Sequence, residues 1–237
     1  MKYKVIIFDK DGTLLDFDKF WLGVSDAAIA DILKEAKCDA SIEEIYNSMG
    51  VYNGITDISG ILARGTYEQM GEAIYGVLEK HNCLLGKEEV TKITVEAYHK
   101  NFNHGKVIPT CENLKEMLNS LLNLGIKLAV VTTDDSYFTE KCLNELGVKD
   151  CFDILLCNDG EFPHKPDPYG IELIKKHFGV TNDEILMVGD TITDMQFAKN
   201  GKVDAIGVGK TEKARKILGE YTEKTFPDVS YVPSAIN

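Results

Sequence analysis

Positive charge is in short supply in this 237-residue sequence, which sets 26 lysines and arginines against 38 aspartates and glutamates. A formal net charge of -12 surrounds the molecule with a field that repels polyanions, and it argues against nucleic acid or an anionic membrane as partner. Clustered metal-binding cysteine is also missing. The six cysteines, at positions 38, 83, 111, 142, 151 and 157, form no Cys-x-x-Cys pair and sit beside no group of histidines, which disfavours a zinc site or a disulfide framework. Long apolar runs are absent too. The chain opens with Val5-Ile6-Ile7-Phe8, but Asp9 interrupts the run far short of a signal peptide or membrane span, so the expected location is cytoplasmic. No internal repeat or low-complexity tract appears. The sequence carries no reading of oligomeric state.

What is present is 44% hydrophobic content, enough for one large core or a core with a smaller partner domain. Val5–Phe8 is short, rich in β-branched residues and bounded by a charge and an Asp-Gly turn, which predicts a strand buried on both faces. Similar runs recur at Leu128–Val131, Ile154–Leu156, Ile185–Val188 and Ala205–Val208. Helical patterns lie between them at Cys111–Leu124, Ser136–Leu146, Pro168–Phe178 and Ile192–Lys199, with Gly125, Gly147, Gly179 and Gly201 as expected C-terminal stops. Strands alternating with helices predict an open parallel α/β sheet covered by helices on both faces, whose sites lie at the carboxyl ends of strands. Roughly ninety residues without strong strand signals separate the first two strands, too many for a loop. Helical stretches at Asp18–Lys37, Thr66–Lys80 and Lys87–Phe102, and capping-box spacing at Ser41-Ile42-Glu43-Glu44, predict an inserted helical domain over residues 16 to 103.

Four short segments could carry chemistry. Asp9 and Asp11 follow the first strand, where alternate side chains point the same way, although Asp11-Gly12 also reads as a hairpin turn. Asp190 and Asp194 follow another buried strand; four-residue spacing places both on one helix face, while Asp190 as an N-cap and Asp194 as a complement to the helix dipole account for them equally. Thr132 and Thr133 end a third strand, where a threonine also serves as a helix cap. Lys165 sits in His164-Lys165-Pro166-Asp167-Pro168, a loop stiffened by two prolines, or is simply solvated. The conjunction is more specific than its parts, because all four segments sit at strand ends on one sheet edge. Acids clustered there repel one another unless a cation lies among them, and hard oxygen ligands favour magnesium. With Lys165, such a cluster becomes an anion site in an acidic protein, suited to a phosphoryl group.

These segments resemble, in order, the four signatures of the haloacid dehalogenase superfamily, in its helical-cap branch that includes phosphoglycolate phosphatase and β-phosphoglucomutase. Asp9-Lys10-Asp11-Gly12-Thr13 matches the nucleophile motif, Val130-Val131-Thr132 the hydroxyl-ended strand, Lys165-Pro166-Asp167-Pro168 the lysine motif, and Gly189-Asp190 with Asp194 the acidic motif. The resemblance implies a Rossmann-like core over residues 1–15 and 104–237, an all-helical cap between, and Mg2+-dependent hydrolysis of a small phosphorylated metabolite. It implies Asp9 as the nucleophile that forms an aspartyl-phosphate and Asp11 as the general acid and then base. Mg2+ would be held by the Asp9 carboxylate, the Asp11 backbone carbonyl and Asp190, with Asp194 supporting that shell and orienting Lys165. Thr132, the Thr133 amide and Lys165 would bind phosphoryl oxygens. Acid at position 11 separates phosphate-ester chemistry from dehalogenation and phosphonate cleavage, whose enzymes in this family lack it there.

Two departures stand out: Lys10 replaces a usually apolar residue, and Cys111-Glu112-Asn113 stands where relatives carry glycine. Lys10 either adds positive potential near the phosphate or points elsewhere. In the cap, Arg64 is a candidate substrate-binding cation and Trp21 a candidate wall, against an exposed helix-end arginine and a packed tryptophan. A phosphomutase uses the same core residues, and a non-catalytic phospho-ligand-binding or scaffold protein remains a third reading, although all motif acids are intact.

Overall fold

The computed structural model describes residues 2–236. The chain divides into two compact units, residues 1–16 with 107–237 and residues 17–106. The first unit begins with β1 (Val5–Phe8), whose four residues are all fully buried. At roughly 1.5–3 kcal/mol for each buried large aliphatic or aromatic side chain, this short strand is a principal contributor to the core.

The second unit opens with α1 (Phe17–Ala36), followed by α2 (Ile42–Ser48), β2 (Val51–Tyr52), β3 (Ile55–Thr56), α3 (Ile61–Arg64), α4 (Tyr67–Leu78) and α5 (Lys87–Asn101). α2 begins with the capping box read from sequence: the Ser41 side chain accepts from the Glu43 amide, and Glu44 accepts from the Ser41 amide. α5 packs against α1 and α4, and Gly71 brings the last contact close, because a Cβ there would lie 2.6 Å from the Thr91 Cα. The unit is not helical throughout. β2 and β3 form a two-residue antiparallel hairpin turning through Asn53 and Gly54, both at positive φ, and two-residue strands are too short to show a period in sequence.

The chain then returns to the first unit through α6 (Leu114–Asn123), β4 (Lys127–Val131), α7 (Ser136–Glu145), β5 (Ile154–Leu156), α8 (Tyr169–Phe178), β6 (Ile185–Gly189), α9 (Ile192–Gly201), β7 (Asp204–Val208), α10 (Glu212–Leu218), β8 (Thr225–Phe226) and α11 (Val232–Ala235). The strands form one parallel sheet in the order β5-β4-β1-β6-β7-β8. The pleat divides the core in two. Ile6 and Phe8 join Leu118, Leu121 and Leu143 of α6 and α7, while Val5 and Ile7 join Ile171, Ile174 and Phe197 of α8 and α9. β8 escaped the sequence reading, since two half-buried residues carry no alternation.

Gly125, Gly147 and Gly179 end their helices at positive φ, as their positions predicted. Gly201 does not. It is the last residue of α9, Lys202 takes the left-handed conformation at φ 56, and the glycine serves a packing purpose: a Cβ there would meet Ile171 Cδ1 at 2.2 Å.

Candidate active site

Sheet register assembles the site. Phe8 pairs with Val130 on one side and Val188 on the other, so β1, β4 and β6 run level towards one edge. Asp9 therefore emerges beside Val131 and Gly189, with Thr132 and Asp190 one residue beyond. The Asp9 amide still donates to Val188 O at 2.9 Å, and the Thr132 amide to Leu156 O at 3.0 Å, so both lie where the backbone ladder holds them.

Asp9 continues the parity of Val5 and Ile7, towards the α8–α9 face, and from that face Lys165 reaches it. Lys165 Nζ lies 2.5 Å from Asp9 Oδ1 and 2.6 Å from Asp194 Oδ1, and all three residues are buried. The other Asp194 oxygen accepts from the Thr191 amide at 3.0 Å and from the Thr191 hydroxyl at 2.6 Å. Asp194 is thereby fixed at both oxygens. Burial pushes the Asp9 carboxyl up to about 7, against the attraction of Lys165 and with the repulsion of Asp194 and Asp11 behind it. Burial alone would depress the Lys165 ammonium, but Asp194 and Asp9 outweigh it and hold the group above its ordinary range.

Asp190 completes the cluster. Ligand oxygens of Asp9, Asp190 and Asp194 all lie within 4.8 Å of one another. Asp190 Oδ1 accepts from the buried Thr13 hydroxyl at 3.1 Å. Desolvation, then the charges of Asp9 and Asp194, push the Asp190 carboxyl well above its ordinary value although part of it reaches solvent. Gly12, at φ 81, makes room: a Cβ would sit 2.0 Å from Asp190 Oδ2. Three carboxylates against the one ammonium of Lys165 leave uncompensated negative charge, and the donors are hard oxygens, a set that fits a divalent cation of the magnesium class.

On the opposite parity, Lys10 is wholly buried, 2.7 Å from Asp11 Oδ2 and 3.0 Å from Asp134 Oδ2. Burial opposes its charge, but Asp11 and Asp134 outweigh that and hold the ammonium above its ordinary value. Burial likewise lifts Asp134 to about 6, with Lys10 pulling the other way. Thr132 is buried and its hydroxyl accepts from the Asp134 amide at 3.1 Å, while Thr133 is exposed.

Several local readings change. Asp11-Gly12 makes no hairpin, because the neighbours of β1 are β4 and β6, both parallel to it. The N-cap of α9 is Thr191, so Asp190 precedes the helix, and the helix-face argument for pairing it with Asp194 fails; a turn brings the two together instead. Asp194 is the N3 residue of that capping box as well as the partner of Lys165. Asp135, not Thr132 or Thr133, caps α7. Thr13, Thr191 and Asp134 were not singled out as site residues from sequence. The first lies within the Asp9–Thr13 string, the second opens a capping-box spacing, and Asp134 belongs to the acidic pair Asp134-Asp135 that follows the strand-end threonines. In the second unit, Arg64 is the exposed last residue of α3, and Trp21 packs in an aromatic group with Phe17, Phe20 and Phe102.

The strand ends of a parallel α/β sheet thus gather three carboxylates around a buried lysine. Residues 3–202 match the family model described as haloacid dehalogenase-like hydrolase, and the chain belongs to that family. It is 27% identical over 211 residues to a phosphoglycolate phosphatase of Psychrobacter arcticus, covering 88% of this chain and 84% of that protein. It is 29% identical over 135 residues to pyrophosphatase PpaX of Halalkalibacterium halodurans, covering 55% of this chain and 63% of that one. The fold matches the crystal structure of a predicted phosphoglycolate phosphatase from Haemophilus somnus with a TM-score of 0.76 at 20% identity, covering 100% and 99% of the two chains. Among the described residues, no helix is long and apolar enough to cross a membrane.

Proposed function

We propose that the protein hydrolyses a small phosphate monoester in two steps through an aspartyl-phosphate on Asp9, with Mg2+ as cofactor. The observation that carries the reading is the Lys165 ammonium bridging Asp9 and Asp194 beside Asp190. Lys165 engages Asp9 Oδ1, which restrains the carboxylate's rotation and favours its ionised form against the effect of burial. An Asp9 oxygen forms a bond to phosphorus as the bond from phosphorus to the ester oxygen breaks. Asp11, as the carboxylic acid, gives its proton to that oxygen, so the alcohol departs and Asp11 is left as carboxylate. In the second step Asp11 takes a proton from water, the water oxygen bonds to phosphorus, the Asp9–phosphorus link breaks, and inorganic phosphate leaves. The Thr132 hydroxyl, the Thr133 amide and Lys165 hold phosphoryl oxygens through both steps. The Asp9 and Asp190 carboxylates and the Asp11 carbonyl would hold Mg2+; when bound, it supplies positive charge that offsets the carboxylates and the phosphoryl group.

Selection of the leaving group falls in this reading to residues 17–106, with Arg64 as a candidate substrate-binding cation. Names of relatives support 2-phosphoglycolate as the first substrate to try, and pyrophosphate as the second. The test is phosphate release from these compounds and from p-nitrophenyl phosphate, with Mg2+ or with a chelator. Asp9→Asn should lose release entirely while still unfolding in a single cooperative transition; turnover like wild type in that variant sinks the mechanism.

A further inference from the structure

Lys10 occupies a place where an apolar residue would suffice. It follows Ile6 and Phe8 in parity, on the α6–α7 side of the sheet, and its side chain is fully buried. Burying an ammonium costs several kcal/mol unless partners repay it, so a lysine here needs a reason beyond packing. Its partners are Asp134 and Asp11. Asp134 is pinned: its amide donates to the Thr132 hydroxyl at 3.1 Å, its carboxylate accepts from the Asp135 amide at 3.0 Å, and its carbonyl accepts from the Asn158 amide at 2.8 Å. Asp11 follows the end of β1 and precedes Gly12 at φ 81, and its side chain keeps 17% exposure against 14% for Asp134. The fixed post is Asp134, the link is Lys10, and the restrained group is Asp11.

We propose that Lys10 is a positioning residue that tethers Asp11 Oδ2 to the Asp134 post, aiming the carboxyl group for proton transfer and so suiting the enzyme to basic, alkoxide-type leaving groups. The proposal rests on the phosphate-ester reading above and on the role given there to Asp11. A restrained carboxyl matters where the departing oxygen needs a proton in the transition state, and little where it leaves readily as an anion. Lys10 is thus a positioning element of the acid-base step, on the face of the sheet opposite Lys165, which serves the nucleophile.

The experiment compares kcat and KM for p-nitrophenyl phosphate, phenyl phosphate and 2-phosphoglycolate in wild type, Lys10→Met, Asp11→Asn and the double variant of these two. Lys10→Met should lower kcat roughly 10- to 100-fold on the two poorer leaving groups, a part of the range general acids supply, and less than about threefold on p-nitrophenyl phosphate, with KM little changed. In the Asp11→Asn background it should add no further loss that depends on the leaving group. Because Lys10→Met leaves two partly buried carboxylates without their cation, Lys10→Met/Asp134→Asn is measured beside it and should show the same pattern. Equal loss across the series, or a raised KM with an unchanged leaving-group dependence, would assign Lys10 to general packing or to the Thr132 loop and overturn the proposal. A wild type that releases phosphate from none of the esters would instead overturn the phosphatase reading itself.

Discussion

Asp190→Asn should make the metal-free protein more stable and blind to magnesium. Carboxylate oxygens of Asp9, Asp190 and Asp194 lie within 4.8 Å of one another, and two full charges at that distance repel by about 3.5 kcal/mol at an effective dielectric near 20. Lys165 compensates Asp9 and Asp194 directly, but it contacts neither Asp190 oxygen, so Asp190 bears the excess. Protonation of Asp190, whose carboxyl is pushed well above its ordinary value by burial and by the Asp9 and Asp194 charges, relieves part of this. The expected net gain on neutralising the position is therefore roughly 1–3 kcal/mol. Asparagine is close to isosteric, fits beside Gly12 and still accepts the Thr13 hydroxyl through its carbonyl. For a chain of this size, the gain raises the Tm by about 2–10 °C. In wild type, free Mg2+ at a hundredfold excess over its Kd adds about 2.7 kcal/mol, a comparable rise. Thermal unfolding of both proteins, in chelator and in a Mg2+ titration, reads the two effects separately. A variant less stable than wild type in chelator, or one with an undiminished Mg2+ shift, would refute the charge argument.

pH supplies another check. Burial holds the Asp9 carboxyl at about 7, above the ordinary aspartate value of about 4, so its contribution to stability is fully present below about 4 and is lost as pH rises through about 7. Mg2+ needs the ionised form, so its thermal shift should grow between pH 6 and pH 8, and a shift independent of pH over that window would contradict it. Lys165→Met leaves Asp9 and Asp194 buried without their cation, and should destabilise by roughly 3–5 kcal/mol, seen as a lower denaturant midpoint, besides removing activity. Thr191→Val deletes the N-cap of α9 and the hydroxyl that holds Asp194; we expect about 1 kcal/mol of lost stability with a larger proportional fall in kcat than in KM. Gly12→Ala should abolish the Mg2+ shift, since its Cβ overlaps Asp190 Oδ2 at 2.0 Å in a backbone conformation that alanine resists.

Much of this was legible before any coordinates. The apolar runs marked five of the six core strands because buried parallel strands are apolar on both faces and need no partner to be recognised. The capping box at Ser41, and the positive-φ glycines after α6, α7 and α8, are local devices whose chemistry lies within a few residues. Features that depend on close approach stayed hidden. Gly201 looked like a helix stop, yet its hydrogen atom faces Ile171 across a helix pair, a relation no local pattern encodes. The β2–β3 hairpin and β8 are too short to carry a period.

For the site, residue types and their order were set by sequence: acid, acid, hydroxyl, lysine, acid, acid, with the lysine in a proline-stiffened loop and the others just after an apolar run or opening the next helix. Sequence could also place them on one edge, since parallel strands all end at the same side of a sheet. Tertiary structure decided which groups touch. Register brought Asp9 beside Val131 and Gly189, with Thr132 and Asp190 one residue beyond, the pleat sent Asp9 towards Lys165 and Lys10 towards Asp134, and a turn rather than a helix face brought Asp190 to Asp194. The approach of Lys165 to Asp9 and of Lys10 to Asp134 joins residues more than a hundred apart in the chain, whereas composition and spacing report on neighbours. Lys10 shows the difference plainly: in the sequence it is an unusual residue between two acids, and only burial and a second carboxylate make it a tether.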